Sequence, residues 1–193
     1  MIYPADKEHL ILAVTLLSEG KTIVYPTDTL YGIGVDATNT NAIYEINQLK
    51  GRSQPFSIVV SDYKSISLYA KIPKGSEEII NSLLPGPYTV ILSKIESDIS
   101  PLVTSDSSGI GIRIPDHPFP ISLVKMLKKP IISTSINRHG DEPLNNVTQV
   151  EIDFPNANIF ADNVLHNSKG STIIDFIKSP GVIVRQGDGE FPI

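Results

Sequence analysis

An apolar stripe of helical spacing lies near the start of the chain. Its members recur at intervals of i, i+3, i+4 and i+7, and they are Leu10, Ala13, Val14 and Leu17. This spacing predicts a core helix over 10–17, ended by Gly20. The segment also has the length of a signal-peptide core, but Asp6 and Glu8 offset its one flanking lysine and no cleavage site follows. A core helix is therefore the better interpretation.

Further elements follow from the same kind of pattern. Asn39 or Thr40 could cap a helix that carries Ile43, Ile46 and Leu49 on one face. The other predicted helices cover 76–84, ahead of a Pro-Gly-Pro stop, and 120–128. The predicted strands cover 22–25, 56–60, 88–93, 109–115, 131–134, 171–176 and 181–186.

The order of these elements indicates the fold class. Strands mix irregularly with helices instead of alternating strictly, which favours an α/β fold with a mixed sheet. The polar segments 138–150 and 153–170 show no clear pattern. With 193 residues, 40% of them hydrophobic and 19% charged, the chain is expected to form one globular domain over 1–193.

Composition excludes several classes of chemistry. There is no cysteine, so disulfides, thiolate nucleophiles and cysteine-ligated zinc are ruled out. The net charge of −5 argues against a domain whose main task is to bind nucleic acid. Without cysteine or an export signal, we expect a cytoplasmic protein. The G-x-G-x-x-A match at 32–37 begins seven residues after a strand ends, which does not fit a dinucleotide site.

The arginines are the clearest clue to a site. There are only four, and none lies on a predicted amphipathic helix; they are Arg52, Arg113, Arg138 and Arg185. Arg113 and Arg185 lie in otherwise apolar strands, where a guanidinium needs an anion or several carbonyl groups. An ordinary ion pair would satisfy either one. Because both lie near glycines that permit close approach of a ligand, a shared anion site is favoured.

Clusters of small polar side chains occur at strand ends. They are Thr27 to Thr29, Ser133 to Asn137, and Ser171 with Thr172. Turn and capping roles explain any one cluster. Three such clusters together with the arginines are more typical of a ligand site at the mouth of an open α/β sheet.

In these residues the sequence resembles the YrdC family, the threonylcarbamoyl-AMP synthases. The resemblance covers about 21–187 in ordered blocks, which are Tyr25–Gly34, Lys50–Arg52, Leu84–Thr89, Gly109–His117 and Ser133–Asn137, with 171–175 and 184–187 extending it. The K-x-R and S-x-N signature of that family corresponds to Lys50, Arg52, Ser135 and Asn137.

The resemblance implies a fold, a reaction and partners. The fold is a twisted mixed sheet flanked by helices around a large, concave, positively lined site. The reaction joins L-threonine, bicarbonate and ATP, with Mg²⁺ on the nucleotide, into threonylcarbamoyl-AMP and pyrophosphate. Another enzyme system then transfers the threonylcarbamoyl group to adenosine 37 of tRNA. Weak binding of RNA is a further implication of the resemblance. No membrane partner is expected, and no protein ligand is assigned to the Mg²⁺.

The resemblance also assigns residue roles. The expected catalytic residues are Lys50, Arg52, Ser135 and Asn137. The expected L-threonine contacts are Thr27, Thr29, Arg113, Ser133 and Thr172. The expected nucleotide contacts are Lys50, Arg52, Gly109, Ser135, Asn137, Ser171 and Arg185.

Two departures from the family pattern keep alternatives open. The stretch after Arg52 is short and lacks a further lysine, and Ile136 stands where a smaller residue is usual. We expect the short, single-domain type of the family, and not the longer branch with an extra C-terminal domain. The alternatives are a paralogue of different or lost activity on the same fold, and a non-catalytic RNA-binding module.

Overall fold

The computed structural model of the protein describes residues 1–51, 55–136, 144, 146–162, 167–178 and 180–191. The strands in this part of the chain are β1 Ile2–Pro4, β2 Ile23–Tyr25, β3 Gly32–Gly34, β4 Ser57–Val59, β5 Ala70–Lys71, β6 Tyr88–Lys94, β7 Gly109–Arg113, β8 Ile131–Ser135, β9 Asn158–Ala161, β10 Thr172–Asp175 and β11 Val182–Arg185. The helices are α1 Leu10–Ser18, α2 Thr40–Lys50, α3 Glu77–Leu83, α4 Pro101–Thr104, α5 Pro118–Leu127 and α6 Val147–Asp153, with a 3₁₀ helix at Tyr63–Leu68. Every predicted helix and strand is present, with ends that differ by at most two residues.

The strands form one mixed sheet. Their order is β1-β9-β2-β3-β8-β4-β7-β6-β10-β11, with β5 beside β6. The pairs β1–β9, β2–β9, β4–β7 and β6–β10 are parallel, and the remaining pairs are antiparallel. The prediction of an α/β fold with a mixed sheet is thereby confirmed.

Successive residues of the central strands enter two different cores, one on each face of the sheet. Val24 belongs to one apolar cluster and its neighbours Ile23 and Tyr25 to the other. Ile58 and Val59 divide in the same way, as the two-residue period of a strand requires. Helices α1 and α5 pack on the second face, and α2, α3 and α4 supply buried residues to the first. None of the described helices combines the length and apolarity needed to cross a bilayer.

Helix α2 carries a lysine into the core. The Asn39 side chain accepts a hydrogen bond from the Ala42 N–H at its start, and Gly51 ends it with a φ of 61°. The prediction that Leu49 shares one face with Ile43 and Ile46 is wrong, because those two are buried and Leu49 is 44% exposed. Lys50 is buried instead. It follows Ile43 by seven residues, nearly two full turns, whereas Leu49 is rotated from Ile43 by about 120°.

Several short elements have no counterpart in the sequence-based prediction. They are β1, β3, β5, β9, α4, α6 and the 3₁₀ helix. Strand β3 reads Gly-Ile-Gly, a composition of low strand propensity, yet it pairs with both β2 and β8. Pairing on both sides stabilises β3. A strand this short has too few residues for its local sequence pattern to predict it.

A strained residue lies in the turn between α4 and β7. Ser105 has a φ of 50° and a ψ of −131°, which places its Cβ in an unfavourable position, and the Ser107 N–H closes the turn onto the Thr104 carbonyl. The Ser105 hydroxyl is buried and has no hydrogen-bond partner among the described residues. A glycine would remove both the strain and the unsatisfied hydroxyl.

We therefore expect Ser105→Gly to raise the free energy of unfolding by about 1 kcal/mol, as measured by urea denaturation. The matched control is Ser122→Gly within α5, which is expected to lower stability by about 0.5 kcal/mol because glycine is a poor helix former. A loss of stability in Ser105→Gly would show that the turn is not strained.

Candidate functional site

A cavity of about 310 Å³ lies among the central strands and the segment that leads into β10. Three cations line it, Arg113, Lys169 and Arg185, and none of its described lining residues is acidic. Hydroxyl side chains make up much of the rest of the lining; they are Thr29, Ser57, Thr89, Ser133, Thr134, Ser135 and Ser171. A polar, cationic cavity of this size suits a small anionic ligand.

Arg113 is the last residue of β7 and is buried at the cavity. Its Nη2 donates to Asp28 Oδ1 at 2.9 Å and to Thr29 Oγ1 at 3.0 Å. Its Nε, like Asp28 Oδ2, has no hydrogen-bond partner in the described part of the chain. Burial lowers the pKa of the Arg113 guanidinium, and the nearby Asp28 carboxylate opposes that shift. The guanidinium is thus both ion-paired and only partly satisfied, in a cavity whose cationic and hydroxyl lining suits an anion.

The turn between β2 and β3 presents Thr29 to Arg113. Thr27 Oγ1 donates to the Leu30 carbonyl at 2.7 Å and accepts from the Thr29 N–H at 3.1 Å. Both threonines are fully buried, but of the two only Thr29 lines the cavity. Thr27 therefore shapes the turn that positions Thr29.

Arg185 enters the same cavity from the end of β11. Its Nη2 donates to the Ser171 carbonyl at 2.8 Å and lies 3.3 Å from Ser171 Oγ. Ser171 Oγ is in turn 2.8 Å from Thr89 Oγ1. The pKa of Arg185 is lowered by burial and also by the positive charge of Arg113. The two guanidinium groups repel each other, and a bound anion would relieve that repulsion, as the predicted shared anion site requires.

Lys50, at the end of α2, is buried and does not line the cavity, but it contacts a residue that does. Its Nζ donates to the Ser135 carbonyl at 2.6 Å, and Ser135 and Ser133 are both lining residues on β8. Of the signature residues, Lys50 and Ser135 are therefore brought together. Arg52 and Asn137 lie outside the described residues.

Besides Thr27 and Lys50, two further predicted contacts lie away from the lining. Thr172 is fully buried, where its hydroxyl donates to the Gly189 carbonyl at 2.6 Å and accepts from the Gly187 N–H at 2.9 Å. Gly109 is packed beneath Ile177 and Ile91. Thr172 holds the C-terminal segment in place, so its contribution to the site is indirect.

Residues that the sequence analysis missed contribute to the site. A Cβ on Gly111 would lie 2.5 Å from Ser57 Oγ and 3.2 Å from Thr89 Cγ2, and both of those side chains line the cavity. Gly111 lies on the same strand face as Arg113, two residues further on. That spacing could have predicted from the sequence that Gly111 lies near the site. No comparable sequence feature pointed to Ser57 and Thr89, because the strands that contain them have the composition of buried core strands.

The Tyr25 side chain accounts for the presence of glycine at positions 32 and 34, which match the dinucleotide-binding pattern. A Cβ on Gly32 or Gly34 would lie 3.1 Å or 2.8 Å from the Tyr25 ring. The tyrosine is completely buried under the β2–β3 hairpin. Burial raises the pKa of Tyr25 to about 12, although Ser133 and the Arg113 charge pull it down. The glycines thus make room for an aromatic ring next to the site.

The described residues contain no group of three or more histidine or acidic side chains placed to hold a metal ion. His117 and Asp162 do form a pair, with Nε2 and Oδ2 2.9 Å apart. Because His117 Nδ1 accepts from the Phe119 N–H, Nε2 carries the proton that Asp162 accepts. Asp162 Oδ1 accepts from the Tyr31 hydroxyl at 3.0 Å, which anchors the cavity wall.

We expect the elevated pKa of Tyr25 to make the protein sensitive to alkali. Unfolded tyrosine ionises near pH 10, whereas folded Tyr25 holds its proton to about pH 12. Its contribution to stability is therefore complete below pH 10 and is lost as the pH rises towards 12. In Tyr25→Phe, the loss of unfolding free energy between pH 9 and pH 11 should be smaller than in the wild type by about 1 kcal/mol. Urea denaturation at both pH values measures this, and equal losses in the two proteins would contradict the burial of an un-ionised phenol.

Comparison with known proteins identifies similar chains. The model of the Sua5/YciO/YrdC family, described as telomere recombination, matches residues 15–187. The chain is 30% identical over 182 residues to threonylcarbamoyl-AMP synthase of Pyrococcus abyssi, covering 91% of this chain and 53% of that protein. It is 33% identical over 149 residues to threonylcarbamoyl-AMP synthase of Photobacterium profundum, covering 75% of this chain and 80% of that protein.

A solved structure is similar over nearly the whole chain. The crystal structure of P. abyssi Sua5 complexed with L-threonine has a TM-score of 0.86 and 27% sequence identity, covering 97% of this chain and 56% of that one. The chain therefore spans about half the length of the Pyrococcus relative. The sheet and its helices are the part that the two have in common.

Proposed function

The chain belongs to the Sua5/YciO/YrdC family, and on that premise we propose that it is an L-threonylcarbamoyl-AMP synthase, a nucleotidyltransferase. Its substrates are L-threonine, bicarbonate and ATP, and its products are threonylcarbamoyl-AMP, pyrophosphate and water. The observation that carries the proposal is Arg113, a buried and partly satisfied guanidinium in a cavity that Arg185 also enters.

The threonine carboxylate pairs with Arg113 in this proposal. A carboxylate can accept two parallel hydrogen bonds from a guanidinium, and the described partners of Arg113 bond to its Nη2 alone. Thr29 and Ser133 stand beside it in the lining, where they can hydrogen-bond the polar groups of threonine. The similarity to a structure that contains L-threonine supports this assignment.

The chemistry needs no side-chain nucleophile. The threonine amine attacks bicarbonate to form a carbamate and release water. A carbamate oxygen then attacks the α-phosphorus of ATP, and pyrophosphate leaves with the electrons of the broken P–O bond. The protein contributes orientation and positive charge, which stabilise the developing negative charge in the transition state. By resemblance, the carbamate and the phosphates are assigned to Lys50, Arg52, Ser135 and Asn137, of which Ser135 lines the cavity and Lys50 donates to the Ser135 carbonyl.

Mg²⁺ enters this scheme as the counter-ion of ATP. No group of acidic or histidine side chains in the described part of the chain is arranged to bind it, so no residue is assigned to the metal. The nucleotide is assigned to Ser171 and Arg185, which both line the cavity. The product would pass to a separate system that modifies adenosine 37 of tRNA.

Threonine-dependent release of pyrophosphate tests the function. Purified protein is incubated with ATP, Mg²⁺ and bicarbonate, with and without L-threonine, while pyrophosphate is followed by a coupled assay and the adenylate by mass spectrometry. We expect release only when threonine and bicarbonate are both present. Pyrophosphate release that does not depend on threonine would favour a paralogue with another substrate. Salt-sensitive RNA binding without pyrophosphate release would favour a binding module.

Arg113 variants test the carboxylate assignment. Loss of a charge-assisted hydrogen bond costs about 1.5–3 kcal/mol, so Arg113→Ala should raise the KM for threonine by roughly 10-fold to 100-fold and the KM for ATP far less. Because alanine leaves Asp28 buried without its cation, Arg113→Lys is the second variant. It keeps the charge next to Asp28 but loses the planar fork, and it should give an intermediate KM for threonine. Equal weakening of both substrates would contradict the assigned role.

A further inference from the structure

One lining cation has no role in the scheme above. Lys169 lies in the segment just before β10 and lines the cavity together with Arg113 and Arg185. Its side chain is exposed, and its ammonium makes no hydrogen bond or ion pair with any described residue. It was not among the residues singled out from the sequence, since the segment around it shows no pattern. A lysine that is free to move at the mouth of an anion site can contact a ligand without losing another partner.

The backbone of this lysine is held in place by a carboxylate. Asp188 Oδ1 accepts from the Lys169 N–H at 2.8 Å, and Asp188 Oδ2 accepts from the Ser168 hydroxyl. Ser168 Oγ also accepts from the Gly170 N–H at 2.9 Å, and the Asp188 N–H donates to the Gly170 carbonyl at 2.9 Å. Four hydrogen bonds therefore fix the segment 168–170, which we call the Lys169 loop, and three of them are made by Asp188.

Two glycines allow the loop to pack this closely. Gly170 has a φ of +87°, and a Cβ there would meet Arg185 Nη2 at 3.3 Å. A Cβ on Gly187 would lie 2.1 Å from the Gly170 carbonyl oxygen, so only glycine permits the contact between the two segments. The Lys169 loop is consequently pressed against the residues around Arg185 and cannot move away without breaking the Asp188 hydrogen bonds.

We propose that Lys169 binds the ATP phosphates, and that Asp188 is a positioning residue which holds the Lys169 loop at the cavity. The proposal rests on the function proposed above, because that function supplies ATP as the anion. It adds to that function a phosphate-binding residue and the residue that positions it. Lys169 approaches from the side of Ser171 and Arg185, to which the nucleotide has been assigned.

The character of the three cations distinguishes their ligands. Arg113 is buried and has a fixed planar fork, which suits one carboxylate. Lys169 is exposed and is a mobile point charge, which suits a phosphate chain that carries several charges and must depart as pyrophosphate. A carboxylate already paired with Arg113 gains little from a second, solvated cation, whereas a polyphosphate needs more than one.

Binding of ATP and of inorganic pyrophosphate tests the role of Lys169. Isothermal titration calorimetry is performed on the full chain and on Lys169→Ala, with Lys178→Ala as the matched control, since Lys178 is also an exposed lysine but does not line the cavity. We expect Lys169→Ala to weaken both ligands about tenfold and Lys178→Ala to leave them unchanged. Lys169→Arg should retain most of the affinity. The difference should shrink in 1 M salt, where the screening length is about 3 Å.

Whether loss of the Asp188 side chain weakens or strengthens pyrophosphate binding tests its positioning role. The negative charge of Asp188 raises the pKa of Arg113, so it acts on the same cationic site. By charge alone, Asp188→Ala would strengthen the binding of an anion. If Asp188 holds the Lys169 loop, the variant should instead weaken pyrophosphate binding, and Asp188→Asn, which keeps an acceptor for the Lys169 N–H, should restore most of it. Unchanged or tighter binding in Asp188→Ala would overturn the positioning role.

These measurements are independent of turnover. If the wild type binds pyrophosphate but forms no threonylcarbamoyl-AMP, the proposed function fails while the Lys169 assignment can still hold. If the wild type is active and Lys169→Ala binds ATP and pyrophosphate normally, with an unchanged KM for ATP, the Lys169 assignment fails and the function stands. Thermal denaturation of each variant confirms that the comparison is between folded proteins.

Discussion

The ion pair between Arg113 and Asp28 is the contact on which the rest of the site depends. Their atoms are 2.9 Å apart and both side chains are 9% exposed. Taking two charges out of water is costly unless each finds several partners, and here each retains an unsatisfied atom. The fold therefore keeps a buried guanidinium charged without using all of its hydrogen bonds. That combination serves recognition of an anion better than it serves stability.

The mixed sheet is what brings the cations together. Arg113 ends a central strand, Arg185 ends an edge strand, and Lys169 stands on the segment between β9 and β10. Parallel pairing of β6 with β10 and antiparallel pairing of β10 with β11 carry the C-terminal residues to the same cavity as β7. The resulting repulsion between Arg113 and Arg185 is tolerated because the cavity is polar and hydroxyl groups surround it. Positive charge is thus concentrated in a chain whose net charge is negative.

Local pattern was sufficient for the longer elements and insufficient for the shorter ones. Apolar periodicity predicts helix α1, and a composition rich in isoleucine predicts strand β7. Strand β3 does not, because two of its three residues are glycines, whose presence is explained only by the Tyr25 ring beneath them. Leu49 was misplaced for a related reason. In the last turn of α2 the buried residue is a lysine, whose partner lies on the distant strand β8. Apolar periodicity cannot predict a buried lysine, so it assigns the buried position to Leu49.

The sequence by itself determined the fold class, the order of the main elements and the idea of an anion site, since a guanidinium in an apolar strand must find a partner wherever that strand lies. Only the tertiary structure decided which polar groups share the cavity. Ser57, Thr89 and Lys169 carry no local signal, and they reach the cavity through strand register and through the close packing that Gly111 and Gly187 permit. The physical reason is that hydrophobicity and charge are properties of single residues and therefore form a local pattern in the sequence. Proximity depends on which strands pair, and that is set by contacts between residues far apart along the chain.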